Sequence, residues 1–366
     1  MFGLPRRILP GLDTEVSALG AGCWTIGGPA TNRGVPIGWD NVDPARAYDA
    51  LVQAHQLGVT LFDTADVYGL GRSERLLGQL LRDVCRDGVV ISSKVGYFAG
   101  TATHPYQPEQ MRRQFGATLD NLGTTHLDIY FLHSSDFGQD DEYLAGAVLT
   151  LRELREQGLI RAIGMRAPHE FAEEWATATG PRAAATTRWL RLFDRIQPDV
   201  VTARYNLLSP LYSEQQTDIF GFARRHQVGV LIKQALGQGL LLRDPASAPP
   251  IFSAADHRSR DPQFRSTALD TLDKTLVALR DRYGTNPRDL ARVALRYALQ
   301  HAPDAALLVG FRDAGQITTT LTCLGTALSQ GNHSGQQVAG GFQGLPVMAS
   351  RSASRTLSPC LRTVEI

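Results

Sequence analysis

The chain has no apolar run approaching the roughly 18 residues that a membrane-spanning helix needs, and none follows Met1 as a secretory leader would. It has no basic block. Its 37 Lys and Arg stand against 36 Asp and Glu, a formal charge of +1, which argues against nucleic acid or an anionic membrane as partner. Cysteine is scarce: Cys23, Cys85, Cys323 and Cys360 are scattered without a C-x-x-C pair, the usage of reduced thiols in a cytoplasmic protein. The nine histidines include no H-E-x-x-H or related spacing, so no metal site is expected. No G-x-G-x-x-G follows a strand, which weighs against a doubly wound dinucleotide fold. What is present, 366 residues at 43% hydrophobic and 20% charged, suffices for one large α/β barrel or two medium domains.

Strand and helix signals alternate along the chain. Strands are expected at Val16–Trp24, Val59–Phe62, Val89–Val95, Leu127–His133, Ile160–Met165, Val200–Tyr205, Val228–Gln234 and Ala305–Val309. Several are near-continuous apolar runs, the pattern of a strand buried on both faces. Between them the spacing predicts helices over Pro44–Leu57 (capped by Asp43), Ser73–Val84 (capped by Ser73), Gln107–Leu122 and Tyr143–Gln157. Phe171–Ile196 reads as helical with a break at Gly180-Pro181; Ser213–His226, Ser266–Tyr283 and Pro287–His301 complete the set. The Pro-rich loop from Asp244 to Phe264 is long enough to act as a flap. Eight such repeats predict a single-domain (β/α)₈ TIM barrel over residues 1–328, with 329–366 a low-complexity, disordered tail rich in Gly, Ser and Gln.

On a barrel, the carboxyl ends of the strands form the mouth where sites are built. Asp63 ends the second strand, Tyr68 lies in the Gly-rich loop after it, Lys94 ends the third and His133 the fourth. Singly, each has a bland reading: a loop-capping acid, a half-buried aromatic, a solvated charge, a wall residue. Four on successive strands suit proton transfer to a carbonyl. A buried Lys94 ammonium is expected to stabilise the Tyr68 phenolate and lower the phenol's pKa, the attraction being roughly 4 kcal/mol at about 4 Å before desolvation is counted. Asp63 would keep that ammonium charged, and His133 would hold the substrate oxygen or share the proton. A hydride source must come from outside the protein.

The residues Asp63-Thr64-Ala65-x-x-Tyr68-Gly69, Ser73-Glu74, Lys94-Val95, Leu127 to His133, Ile163-Gly164, Tyr205-Asn206, Leu236 to Leu241 and Gly310-x-Arg312 together resemble the aldo-keto reductases, over roughly residues 10 to 325. The resemblance implies a barrel with NADP(H) extended across its mouth and a tetrad of Asp63, Tyr68, Lys94 and His133, with Tyr68 the proton donor. It further implies coenzyme contacts from Trp24, Arg166, Asn206, Leu236, Gly237, Gln238, Gly310, Arg312 and Gln316. Arg312 would hold the adenosine 2′-phosphate, a bidentate partner for a guanidinium. The expected partner is a small carbonyl or alcohol substrate, such as a sugar or a natural-product intermediate.

The chain departs from the family pattern in three places. Arg166-Ala167 stands where Ser-Asn usually grips the nicotinamide carboxamide, Thr202 replaces a Gln, and Thr320 replaces an Asn that commonly reads the adenine. Two other functions fit parts of the pattern: a nucleotide-binding regulatory subunit similar to the potassium-channel beta subunits, and a lyase using Lys94 as a Schiff base.

Overall fold

Eight short parallel strands, buried along most of their length, close on themselves. The computed structural model describes residues 3–325. An amino-terminal antiparallel hairpin, β1 (Arg6–Leu9) and β2 (Thr14–Ser17), precedes the first barrel strand, β3 (Leu19–Gly22). A second small hairpin, β4 (Thr31–Asn32) and β5 (Val35–Pro36), follows it. The remaining barrel strands are β6 (Leu61–Asp63), β7 (Val90–Val95), β8 (Leu127–Leu132), β9 (Ile160–Arg166), β10 (Val200–Arg204), β11 (Gly229–Lys233) and β12 (Ala306–Gly310). They pair in the order β3-β6-β7-β8-β9-β10-β11-β12, and β12 returns to β3. This closed order confirms the (β/α)₈ barrel and excludes an open doubly wound sheet.

The outer layer is made by α1 (Pro44–Gln56), α2 (Arg72–Leu81), α3 (Pro108–Leu122), α4 (Leu144–Glu156), α5 (Pro181–Ile196), α6 (Ile219–Arg225), α7 (Ser266–Tyr283), α8 (Pro287–His301) and α9 (Ala314–Thr322). Asp43 caps α1 as expected, its carboxylate accepting from Ala45 N at 2.8 Å and Arg46 N at 3.3 Å.

The structure corrects the sequence reading in four places. Val16–Trp24 is not one strand: β2 ends at Ser17, whose hydroxyl bonds Leu19 O at 2.7 Å, and the chain changes sheet at Ala18. Ser73 does not cap α2. Gly71 does, in a left-handed conformation, while Ser73 lies inside the helix and donates to Cys23 O at 2.8 Å. The helix expected from Ser213 begins only at Ile219, because Asp218 caps it there. Finally, α9 was not foreseen; Asp313 caps it through Gln316 N at 2.9 Å. The tail expected from residue 329 lies outside the described residues.

Alternation along a strand decides what faces the barrel axis. One buried cluster joins Leu61, Val90, Ile129, Phe131, Ala162, Val200, Leu231, Ala306 and Leu308, and Leu9, Leu12 and Val16 of the amino-terminal hairpin pack into it. The hairpin therefore plugs the floor, each of its apolar side chains contributing roughly 1.5–3 kcal/mol. Two residues above this layer on the same inner face come Asp63, Ser92 and His133, and then the ends of β7, β9, β10 and β11. Polar and charged residues crowd that level, and it is the mouth.

Candidate active site

Lys94 extends from the end of β7 across the mouth to the end of β6. Its Nζ donates to both carboxylate oxygens of Asp63, at 2.8 and 2.7 Å, and to Thr64 O at 2.5 Å. Ser92 Oγ donates to the same carboxylate at 2.6 Å. All of these side chains are buried. An ammonium has three N–H groups, and here each is engaged. That leaves no lone pair for a carbonyl carbon, so the geometry argues against a Schiff base at Lys94.

The loop from Thr64 to Gly71 delivers Tyr68 over this pair, with Lys94 Nζ 4.7 Å from the centre of its ring. Glu74 anchors the start of α2 beneath the loop, accepting from Ser93 Oγ at 2.8 Å, Thr118 Oγ1 at 2.9 Å and Asn121 Nδ2 at 2.9 Å. His133, just past β8, meets Tyr68 edge to face with ring centres 5.8 Å apart, and its other side meets Tyr97 at 4.8 Å. The structure thus brings Asp63, Tyr68, Lys94 and His133 into one buried corner.

The electrostatics differ from the expectation in sign. Burial pushes the Tyr68 phenol well above its ordinary range, and the Asp63 carboxylate adds to the rise. Lys94 does not reverse this, because Asp63 lies against it as a close ion pair whose field largely cancels at the ring. Tyr68 is therefore held firmly as a phenol. His133 is displaced the other way: burial, with Lys94, Lys233 and Arg166 nearby, holds it far below the usual imidazole value, hence neutral. Its Nδ1 is buried without a hydrogen-bond partner.

The other expected residues are spread around the mouth. Trp24 follows β3; its indole donates to Ile37 O at 3.0 Å and lies 6.1 Å from the Tyr68 ring in a stacked orientation. Leu236 opens a turn in which Gly237, Gln238 and Gly239 are all left-handed (φ 57°, 56° and 95°). Two glycines there let the backbone adopt a conformation that side chains resist. Gly310 ends β12, and Arg312 just beyond it lies 5.3 Å from the Trp39 ring. Among the described residues the Arg312 guanidinium has no hydrogen bond or ion pair. Gln316 supports that turn from behind, its Oε1 accepting from Arg312 N at 2.9 Å. Thr320 is satisfied within α9 by Gln316 O at 2.9 Å.

Two expected contacts have other engagements. Asn206 donates to Gln234 O at 2.8 Å and accepts from Leu208 N at 2.8 Å, so its amide braces the loops after β10 and β11. Arg166 faces the axis at the end of β9 and meets His169 Nε2 at 2.7 Å; burial and neighbouring cations push that imidazole down to about 2, so it accepts as a neutral ring.

The sequence did not single out a second group at the mouth. The Asp244–Phe264 loop crosses over it and docks at Gly38, where His257 N bonds Gly38 O at 2.9 Å. The His257 ring lies 4.3 Å from Trp24 and 4.7 Å from Trp39, and its Nε2 meets Gln238 Oε1 at 2.7 Å. Arg258 chelates Asp256 and covers Trp39 at 4.3 Å. The loop length was legible; its docking partners, some 220 residues away, had no local signal.

Comparison with known proteins agrees with this geometry. The model of the aldo/keto reductase family matches residues 18–334. The chain is 28% identical over 242 residues to an NADH-specific methylglyoxal reductase of Escherichia coli, covering 63% of this chain and 66% of the relative. It is 26% identical over 325 residues to the aldo-keto reductase YhdN of Bacillus subtilis, covering 86% and 87%. In structure it is similar to a glycerol dehydrogenase of Gluconobacter oxydans, with a TM-score of 0.68 at 22% identity and coverage of 98% and 99%. It is also similar to a Klebsiella pneumoniae aldo/keto reductase in complex with NADP and acetate, with a TM-score of 0.59 at 21% identity and coverage of 92% and 94%. With the barrel closed and the family model spanning nearly all of it, the chain belongs to the aldo/keto reductase family, oxidoreductases of carbonyl compounds that use nicotinamide coenzymes.

Proposed function

We propose that this protein reduces an aldehyde or ketone to the alcohol with NADPH, Tyr68 supplying the proton. The observation that carries the reading is the buried corner itself, where the phenol of Tyr68 stands between the Asp63–Lys94 pair and His133. The bound coenzyme supplies the hydride, the one reagent the side chains lack. Everything else is a task for the chain's own groups.

A Tyr68 phenol held above its ordinary range remains protonated throughout the neutral region. Its retained proton is the one placed to pass to a developing alkoxide. His133 is held neutral, which makes it a hydrogen-bond donor to the carbonyl oxygen rather than a second proton source. The Asp63–Lys94 pair holds the floor beneath the phenol and keeps its approach dry.

The chemistry of the surrounding residues fits a nicotinamide dinucleotide. Trp24, Trp39 and His257 form an aromatic wall, and the left-handed turn at Gly237–Gly239 offers exposed backbone for a diphosphate. Relatives' names point to both coenzymes, one being NADH-specific and one seen with NADP. Arg312 favours NADPH, since a half-buried guanidinium without a carboxylate suits a 2′-phosphate. A spectrophotometric screen of NADPH and NADH against a carbonyl panel tests the reading; absence of turnover with every carbonyl and both coenzymes would overturn it.

A further inference from the structure

Lysine is rare in this chain. Of its 37 Lys and Arg only Lys94, Lys233 and Lys274 are lysines. Two of those three lie at strand ends in the mouth, on β7 and β11, four strands apart in a closed ring of eight and so opposite one another. A guanidinium stays charged wherever it is placed. An ammonium kept from water gives up its proton instead and becomes a nucleophilic amine.

Register fixes the direction of Lys233. Leu231, two residues earlier on the same face, belongs to the cluster on the barrel axis, so Lys233 faces inward one level above it. Its partner on β10 is Arg204. On the other side Ala306 of β12 pairs with Leu231, and Leu308 follows two residues on, in the same axial cluster. The Lys233 stem therefore runs between a cationic neighbour and an apolar one. The residue is only partly covered, so a small molecule entering the mouth can meet it.

The two mouth lysines differ in what engages them. Lys94 Nζ gives all three of its N–H groups to Asp63 and Thr64 O. Among the described residues, Lys233 Nζ has no hydrogen bond or ion pair. The charged and titratable groups around it are Arg166 on β9, Arg204 on β10, Lys94 on β7, Asp63 on β6 and His133 just past β8. The one carboxylate among them is already held by Lys94 and Ser92. Burial first, with the neighbouring cations adding to it, pushes the Lys233 ammonium well down from the usual lysine range. The lone pair that Lys94 cannot offer is thus available across the mouth, at Lys233.

We propose that Lys233 is a second reactive group of the barrel mouth, an amine that captures aldehydes as a reversible Schiff base. The Nζ lone pair adds to the carbonyl carbon and a C–N bond forms. The carbonyl oxygen then leaves as water, carrying both amine protons, and an imine remains. Nothing is oxidised or reduced. The step needs neither a hydride nor the Tyr68 proton, so it goes beyond the reductase reading and does not depend on it.

The experiment incubates the full-length protein at neutral pH with benzaldehyde and sodium cyanoborohydride, which reduces an imine to a stable benzylamine. Peptides are then mapped by mass spectrometry over time. Lys274, exposed on α7, is the internal standard for an ordinary lysine. With its pKa near about 10.4, such a side chain keeps only about one amine in 10³ unprotonated at neutral pH. Benzylation of Lys233 is expected at least tenfold faster than that of Lys274, with Lys94 unlabelled. Lys233→Arg keeps the charge and should lose the fast site. Lys233→Met replaces it if the first folds poorly, circular dichroism reporting the fold, and the wild-type peptide map decides the question even if neither folds. Labelling of Lys233 at or below the rate of Lys274 marks a protonated cation, as a group serving a coenzyme phosphate would be, and overturns the proposal. Fast labelling confined to Lys94 overturns it as well. Fast labelling of Lys233 without turnover of any carbonyl leaves the Schiff base standing, and the reductase reading alone fails.

Discussion

Both oxygens of the Asp63 carboxylate accept hydrogen bonds from Lys94 Nζ, and each side chain is only 6% exposed. A buried pair of this kind is costly to break from one side. Lys94→Met leaves the carboxylate without its counter-ion and is expected to destabilise the fold by roughly 3–5 kcal/mol. Adding Asp63→Leu should restore much of that loss, because the double variant buries no charge. Urea unfolding of the two singles and the double checks the coupling; additive losses would show that the pair is not an energetic unit.

Removing only the phenol oxygen tests Tyr68 as the proposed proton donor. Tyr68→Phe is expected to lower kcat for carbonyl reduction by about 10²-fold or more while NADPH binding stays nearly intact. A variant that keeps a tenth of wild-type kcat would remove Tyr68 from that role. In the wild type the pH profile follows from the two displaced groups. Tyr68 is raised, so its proton is retained past the ordinary phenol value near 10; His133 is depressed, so it stays neutral below the ordinary imidazole value near 6.5. Reduction should therefore be flat between about pH 6.5 and 10. A steep limb inside that window, traced to either residue by its substitution, contradicts the assignment.

His169 offers a stability test of the same electrostatics. Its folded value is about 2, against about 6.5 when unfolded, so below about pH 6.5 the unfolded chain binds the extra proton. The contribution of His169 is thus fully present above about pH 6.5 and is lost as pH falls toward about 2. Its slope is at most about 1.4 kcal/mol per pH unit, less whatever solvent screening removes. His169→Asn should flatten the fall in unfolding free energy between pH 7 and pH 5, measured in urea. An identical slope in variant and wild type would show that His169 titrates normally.

Most of the fold was legible because parallel buried strands read as apolar runs, and all eight were found to within a few residues. What escaped was set by distant partners. The floor hairpin was invisible as a plug, since Leu9, Leu12 and Val16 acquire meaning only beneath Ile129 and Val200. The Ala314–Thr322 helix was masked by four β-branched threonines and an isoleucine, poor helix formers that Asp313 and packing override. At the site, the residue types of the tetrad could be read from strand ends, but not the sign of the Tyr68 shift, which depends on how tightly Asp63 covers Lys94. Arg204 and Lys233 did have a signal: both continue an inward alternation from Val200 and Leu231.

Coenzyme choice is tested at Arg312. If its guanidinium meets the 2′-phosphate, Arg312→Ala weakens NADPH binding by about 1.5–3 kcal/mol and leaves NADH almost unchanged. Fluorescence titration with both coenzymes reads the difference. Equal losses for the two would place Arg312 away from the 2′ position.

The last prediction concerns the loop that crosses the mouth. His257 fastens it to Gly38 O through both its backbone N and its ring Nδ1 at 3.0 Å, to Gln238 Oε1 through Nε2 at 2.7 Å, and to Trp24 and Trp39 through its ring. The aromatic contacts are worth about 0.5–1.5 kcal/mol each and a neutral hydrogen bond about as much, so the side chain supplies roughly 2–3 kcal/mol of closure. Trp24 also flanks Tyr68, so the loop closes over the corner proposed to carry the reaction. His257→Ala should leave the four residues of the buried corner in place but let the loop open more often. NADPH is then expected to dissociate at least tenfold faster in stopped flow, with a much smaller change in the single-turnover rate of the bound complex. If release keeps its wild-type rate while single turnover falls, His257 shapes the reacting geometry instead of holding the loop, and the latch assignment fails.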